Sequence, residues 1–167
     1  MNNTIFLSMI SHYWEGKSIN IEILSRTNMI DFSFHVHKER IAVISISDID
    51  KGSPEVFNNP ENGIIEQLQL HFDDVEIGKP NCITDEIAEK IAAYINRVRN
   101  NAGKVIVHCE AGISRSAGVG ARIIKFLNDN DMFVFNNPRF RPNMTCYRKV
   151  LNALIDSSDD LAPELNI

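Results

Sequence analysis

Five residues separate Cys109 from Arg115, and Ser116 follows directly, in the stretch Val105-Ile106-Val107-His108-Cys109-Glu110-Ala111-Gly112-Ile113-Ser114-Arg115-Ser116. A thiol, a guanidinium and a hydroxyl at that spacing can hold an oxyanion and attack it. The apolar strand before Cys109 runs straight into a tight loop, and the loop into a helix. In sheets alternating with helices, ligands bind beyond the carboxyl ends of the strands, which is where Cys109 falls. Gly112 lets the loop turn. The amides from Glu110 to Arg115 can then face inward as an anion-binding nest, reinforced by the N-terminus of the next helix. Such a setting stabilises a thiolate. The planar Arg115 fork can grip two oxygens of a phosphate, which Lys could not copy. A thiolate beneath a bound phosphate is arranged for attack on phosphorus, with charge stabilisation carrying most of the rate gain.

The elements that must position this loop alternate along the chain. Residues 4–9 and 20–24 are short strand candidates, and 28–37 reads as a short helix. Ile41 to Ser47 is rich in β-branched residues and reads as a buried strand. Residues 48–63 carry loop chemistry with room for a turn of helix, and Glu66 to Phe72 alternates like a strand. Thr84 can cap the following helix, and Asp85 and Glu86 suit its positive end. Ile87, Ile91, Ile95 and Val98 form its core stripe, with Gly103 expected at its stop. Further helices are predicted from about Ser116 to Asn128 and, after Pro142, from about Met144 to Ile155. Strands alternating with helices predict one α/β domain over 1–167, a central mostly parallel sheet flanked by helices. Residues 1–18 and the acidic tail 156–167 are expected to be loosely ordered.

Composition narrows the class. The chain has 167 residues, 44% hydrophobic and 23% charged, which fits a single globular domain. No apolar run reaches the ~20 residues of a membrane helix. Met1-Asn2-Asn3-Thr4 has neither the basic stretch nor the cleavage site of a signal peptide, so a cytoplasmic protein is expected. A net charge of −5 argues against a nucleic-acid binder. Three cysteines, none in a CxxC pair, argue against a disulfide framework and a structural zinc site. Cys82 and Cys146 read as inert thiols, with a redox partner for Cys109 as the alternative. His35 and His37 share a face without a third ligand, so packing is favoured over metal. His71 reads as outward-facing, with a place beside the neighbouring acidic loop as the alternative. Arg139, Arg141, Arg148 and Lys149 lie in an acid-free region, 133–155, that is either a solvated face or a steering surface for phosphorylated substrates.

The run His108-Cys109, five residues, then Arg115-Ser116 resembles the HCxxGxxRS signature of the cysteine-dependent protein tyrosine phosphatase superfamily. The form HCEAGISRS is most similar to its small dual-specificity members. The likeness spans roughly 41–155, including Pro142-Asn143; residues 1–40 match loosely. The resemblance implies that family's phosphatase-like fold. It implies Cys109 as nucleophile through a phosphocysteine, and Arg115 as phosphate and transition-state ligand. Ser116 would donate to the Cys109 sulfur and help it leave. His108 would orient the loop and help keep the thiol ionised, and Asn143 would brace the active-site loops. The loop residues Glu110, Ala111, Gly112, Ile113 and Ser114 would line the phosphate site with Arg115. No metal or cofactor is implied.

The family also uses an acid from a loop upstream of the cysteine. Asp74, 35 residues before Cys109, falls on that position. Asp73 is the second choice and Glu76 a third, and Asp48 and Asp50 also follow a strand end. The implied substrate is a phosphotyrosyl, and also phosphoseryl or phosphothreonyl, protein; a monomer is favoured, with the oligomeric state left open. A phosphoinositide is weakened by the acidic Glu110 and the lack of loop lysines. RNA 5′-phosphate is weakened by Ser114 where that branch has Asn. A phosphate-binding module without turnover is the reading of another class, and retention of both Cys109 and Arg115 argues against it.

Overall fold

The computed structural model describes residues 19–52 and 55–159. The predicted strand at 4–9 and the expected loose order of 1–18 lie outside them. The described residues form four strands: β1 (Asn20–Ser25), β2 (Ile41–Ser47), β3 (Ile64–His71) and β4 (Lys104–Cys109). All pair in parallel in the order β1-β4-β2-β3. Parallel neighbours require crossovers, which the helices supply: α1 (Arg26–Ser33) after β1, α2 (Asp85–Val98) between β3 and β4, and then α3 (Arg115–Asn128), α4 (Met132–Asn136) and α5 (Met144–Asp159).

Alternation along the two central strands divides the core. Ala42, Ile44 and Ile46 of β2 and Val105, Val107 and Cys109 of β4 face the larger side, where α2, α3 and α5 supply Ile91, Ile95, Ile123, Val150 and Leu154. Ile41, Val43 and Ile106 face the smaller side, covered by Met29 of α1 and by Phe57. Both faces of a parallel sheet are thus buried, as its near-continuous apolar strands require. A register shift near Ile41 and Ala42 leaves a break between β2 and β3. The buried Tyr94 hydroxyl fills it, accepting from Val43 N at 3.1 Å with the Val43 and Glu66 carbonyls each 3.1 Å away.

Several boundaries depart from expectation. The helix predicted for 28–37 is α1, beginning earlier at Arg26 behind a Ser25 cap that accepts from Asn28 N. Thr84 caps α2 through Ile87 N as expected, but Gly103 does not terminate it. The helix ends at Val98 with Arg99 as its cap. Gly103 instead ties two segments together, donating to Arg40 O and accepting from Asn20 N. The short α4 was not predicted, since Met132, Phe133 and Phe135 are exposed and only Val134 is buried. The last helix runs on to Asp159, so residues 156–159 are helical; the tail beyond lies outside the described residues.

Candidate active site

Cys109 ends β4 at the carboxyl edge of the sheet, and Arg115 opens α3 after five intervening residues. The intervening loop turns through Gly112 at φ +69°. A Cβ there would lie 2.5 Å from Ser25 N and 2.6 Å from Leu24 O, so only glycine fits. The loop carbonyls are held outward. Glu110 O accepts from Arg26 N (3.1 Å), Ile113 O from Arg141 N (2.9 Å) and Ser114 O from Asn143 N (3.1 Å). The amides of Glu110 to Ser114 donate to no protein acceptor among the described residues. That leaves them for an anion, as a nest requires.

The reactive side chains converge on this loop. Cys109 Sγ lies 3.1 Å from Ser116 Oγ. Arg115 is only 4% exposed. Its Nη1 donates to Phe72 O at 2.7 Å and meets Asp48 Oδ1 at 2.7 Å. Its Nε is buried without a partner among the described residues, a donor held ready for an oxyanion. A buried cation braced on one side and open on the other matches what a phosphate fork needs. The residues present therefore fit an anionic phosphoryl group.

Asp74 closes the far side. Its Oδ1 accepts from Ser114 Oγ at 2.8 Å and from Asn143 Nδ2 at 2.8 Å, so both bonds fall on one oxygen of the carboxylate. Ser114 precedes α3 but makes no side-chain cap; its hydroxyl is spent on Asp74 instead. Asn143 does more than touch Asp74. It also donates to Val75 O, and its Oδ1 accepts from Thr145 N (2.9 Å) and Cys146 N (3.1 Å), tying the acidic loop to the start of α5.

Asp73 is placed differently. Its carboxylate accepts from Asn81 Nδ2 (2.9 Å) and Ile49 N (3.1 Å). These bonds hold its carboxyl below the usual range, which suits a loop anchor better than an acid. Glu76 and Asp50 are exposed. Asp48 does reach the site, as the partner of Arg115. His71 is exposed and donates to Gly52 O at 3.0 Å, and His37 stacks on Phe32 at 3.8 Å.

His108 faces the smaller side of the sheet, with Nε2 2.7 Å from Ser45 Oγ. Burial pushes it down to about 4, against a weaker opposing effect of the Cys109 backbone. The ring is therefore neutral at pH 7 and brings no positive charge to the thiol. Ala111 and Ile113 are exposed on the loop, as is Glu110, which lies 3.6 Å from Arg26. Arg26 also binds Glu55 through Nε at 2.8 and 3.0 Å. Arg139 and Arg141 are exposed beside the loop, and Lys149 pairs with Asp85 at 2.6 Å. Burial pushes the Cys146 thiol up, while Cys82 is half-buried.

Ser45, Arg26 and Glu55 were not singled out from the sequence. Only Ser45 left a trace there, as the one hydroxyl inside the apolar run Ile41–Ile46.

Residues 25–150 match the family described as dual specificity phosphatase, catalytic domain, and the chain belongs to that family. No curated protein matches the chain significantly. Among solved structures it is similar to Tk-PTP in the active form, with 18% identity, TM-score 0.51, and 86% of this chain and 98% of that one covered. It is also similar to human DUSP28, with 13% identity, TM-score 0.54, and 84% and 94% covered. A third is PTPMT1 in complex with PI(5)P, with 14% identity, TM-score 0.51, and 85% and 94% covered. At these identities the likeness is one of fold: a parallel sheet with flanking helices and a loop after β4. Family and fold together make the protein a cysteine-dependent phosphatase of the small dual-specificity-like branch.

Proposed function

We propose that the protein removes phosphate from phosphotyrosine, and from phosphoserine and phosphothreonine, in protein substrates through a phosphocysteine intermediate. The observation that carries this reading is the bond between Asp74 and Ser114, which joins an acid to the loop that presents the thiol. Cys109 Sγ attacks phosphorus, the P–O bond to the leaving group breaks, and Asp74 delivers the proton that oxygen needs. Arg115 and the loop amides bind the equatorial oxygens as charge develops on them. Water then attacks the phosphocysteine, Asp74 takes its proton, and the Ser116 hydroxyl stabilises the departing thiolate. The steps call on no metal or organic cofactor.

A single phosphate is favoured over a polyanion because Glu110 puts a carboxylate on the loop. Three free thiols support a reducing, cytoplasmic setting, and we read residues 1–167 as one catalytic domain acting as a monomer. The test compares initial rates on phosphotyrosyl and phosphoseryl peptides, on PI(5)P and on a 5′-phosphorylated RNA, for wild type and Cys109→Ser, with vanadate as inhibitor. Turnover of the peptides that is blocked by vanadate and lost in Cys109→Ser is expected. Preference for the lipid or the RNA overturns the substrate class. A wild type that binds vanadate and turns over nothing makes the protein a phosphate-reading module.

A further inference from the structure

The smaller face of the sheet holds a chain of polar groups that the reaction itself does not touch. His108 Nε2 lies 2.7 Å from Ser45 Oγ, and Gln67 Nε2 donates to the same oxygen at 2.8 Å. Ser45 is fully buried and His108 is 2% exposed. Gln67, on the edge strand β3, has two backbone partners of fixed polarity. Its Oε1 accepts from Phe57 N at 2.7 Å, and its Nε2 also donates to Glu55 O at 2.9 Å. A backbone N–H can only donate and a carbonyl can only accept, so the orientation of this amide is determined.

The consequence passes along the chain. Because Gln67 donates, Ser45 Oγ accepts, and its hydroxyl hydrogen is free for the next group. The group within reach is His108 Nε2. An Nε2 that accepts is unprotonated, and the proton of the neutral ring then sits on Nδ1. Nδ1 is buried without a hydrogen bond of ordinary geometry among the described residues, on the residue directly before the nucleophile. The opposite tautomer would strand two groups in a dry site, the Ser45 hydrogen and the Nδ1 lone pair, where this one strands only the Nδ1 hydrogen.

We infer that Gln67 is a positioning residue for the Cys109 loop, acting through Ser45 to fix which nitrogen of His108 carries the proton. This rests on the proposed phosphatase reaction for its effect on rate, but not for its effect on the ring. The same residues lead back to the loop by a second route, since Glu55, whose carbonyl Gln67 holds, binds Arg26, and Arg26 reaches Glu110.

The test is nitrogen NMR of His108 in the full chain, beside steady-state kinetics. Wild type is expected to show Nδ1 protonated and Nε2 unprotonated. Gln67→Glu presents only acceptors, so the Ser45 hydroxyl turns to the carboxylate and the proton of His108 moves to Nε2. Gln67→Leu, which removes the chain's anchor, is expected to lower kcat roughly tenfold, the worth of one neutral hydrogen bond, with KM within about twofold of wild type. A wild-type ring protonated on Nε2 overturns the inference. So does a folded Gln67→Glu whose tautomer is unchanged, or a Gln67→Leu with wild-type kcat. If the tautomer moves as expected and wild type hydrolyses no phosphomonoester, the reaction is wrong and the hydrogen-bond chain stands.

Discussion

The carboxylate of Asp48 lies 2.7 Å from Nη1 of Arg115, the same nitrogen that donates to the Phe72 carbonyl. Two loops, one after β2 and one after β3, thus hold a single guanidinium from behind. Breaking one partner of a largely buried pair leaves the other charge uncompensated. Asp48→Asn is expected to lower kcat/KM by about ten- to a hundredfold, or ~1.4–2.7 kcal/mol, and to weaken vanadate binding in parallel. Wild-type kinetics in a folded variant would mean that the Phe72 carbonyl alone aims Arg115.

Asp74→Asn removes the proposed proton donor while keeping an acceptor for Ser114 and Asn143. On a phosphotyrosyl peptide kcat should fall by about 10²–10⁴, and on an activated aryl phosphate, whose leaving group needs no proton, by far less. Asp73→Asn should show no such dependence on leaving group. The reverse pattern assigns the acid to Asp73.

Acid stability should depend on His108. Its value is about 4 in the folded protein against 6.5 as the reference. Between those values the unfolded chain binds the extra proton and the folded one does not. The slope of stability with pH is therefore positive there, and stability falls as pH drops from 6.5 to 4, by about 3 kcal/mol across the window. His108→Gln cannot titrate, so its urea midpoint should change less than that of wild type between pH 7.5 and 4.5. Equal changes in both proteins would show that His108 is not depressed.

Gly118→Ala tests the contact between α3 and α5. The added Cβ would stand 2.4 Å from Asn143 O and 3.1 Å from Cys146 Cβ. A backbone carbonyl cannot swing aside as a side chain can. A loss of about 1–3 kcal/mol is expected, seen as a lower Tm, together with reduced kcat because Asn143 positions Asp74. An unchanged Tm would show that the two helices separate freely.

The parallel sheet and the loop from Cys109 to Ser116 were legible because both are written locally. An apolar strand, a glycine and a helix start follow one another in one short segment. Family likeness placed Asp74 and Asn143, and the structure sets both against Ser114. What was not legible depends on distant pairings. Asp48 was singled out as one more carboxylate near a strand end, and only the geometry puts it behind Arg115. Gln67 reads as an ordinary polar residue of an alternating strand, and Arg26 as a helix-start residue. The early start of α1 followed from the Ser25 cap, and the exposed apolar surface of α4 carried no periodicity to read.

The Asn143 bonds also have a consequence in time. Chains emerge from synthesis N-terminal end first, so Cys109 is made well before the amide that ties Asp74 into place. A growing chain can carry its nucleophile and still lack the clasp that completes the site. Closure of the Asp74 loop by Asn143 therefore waits for the start of α5, the last helix among the described residues, to dock.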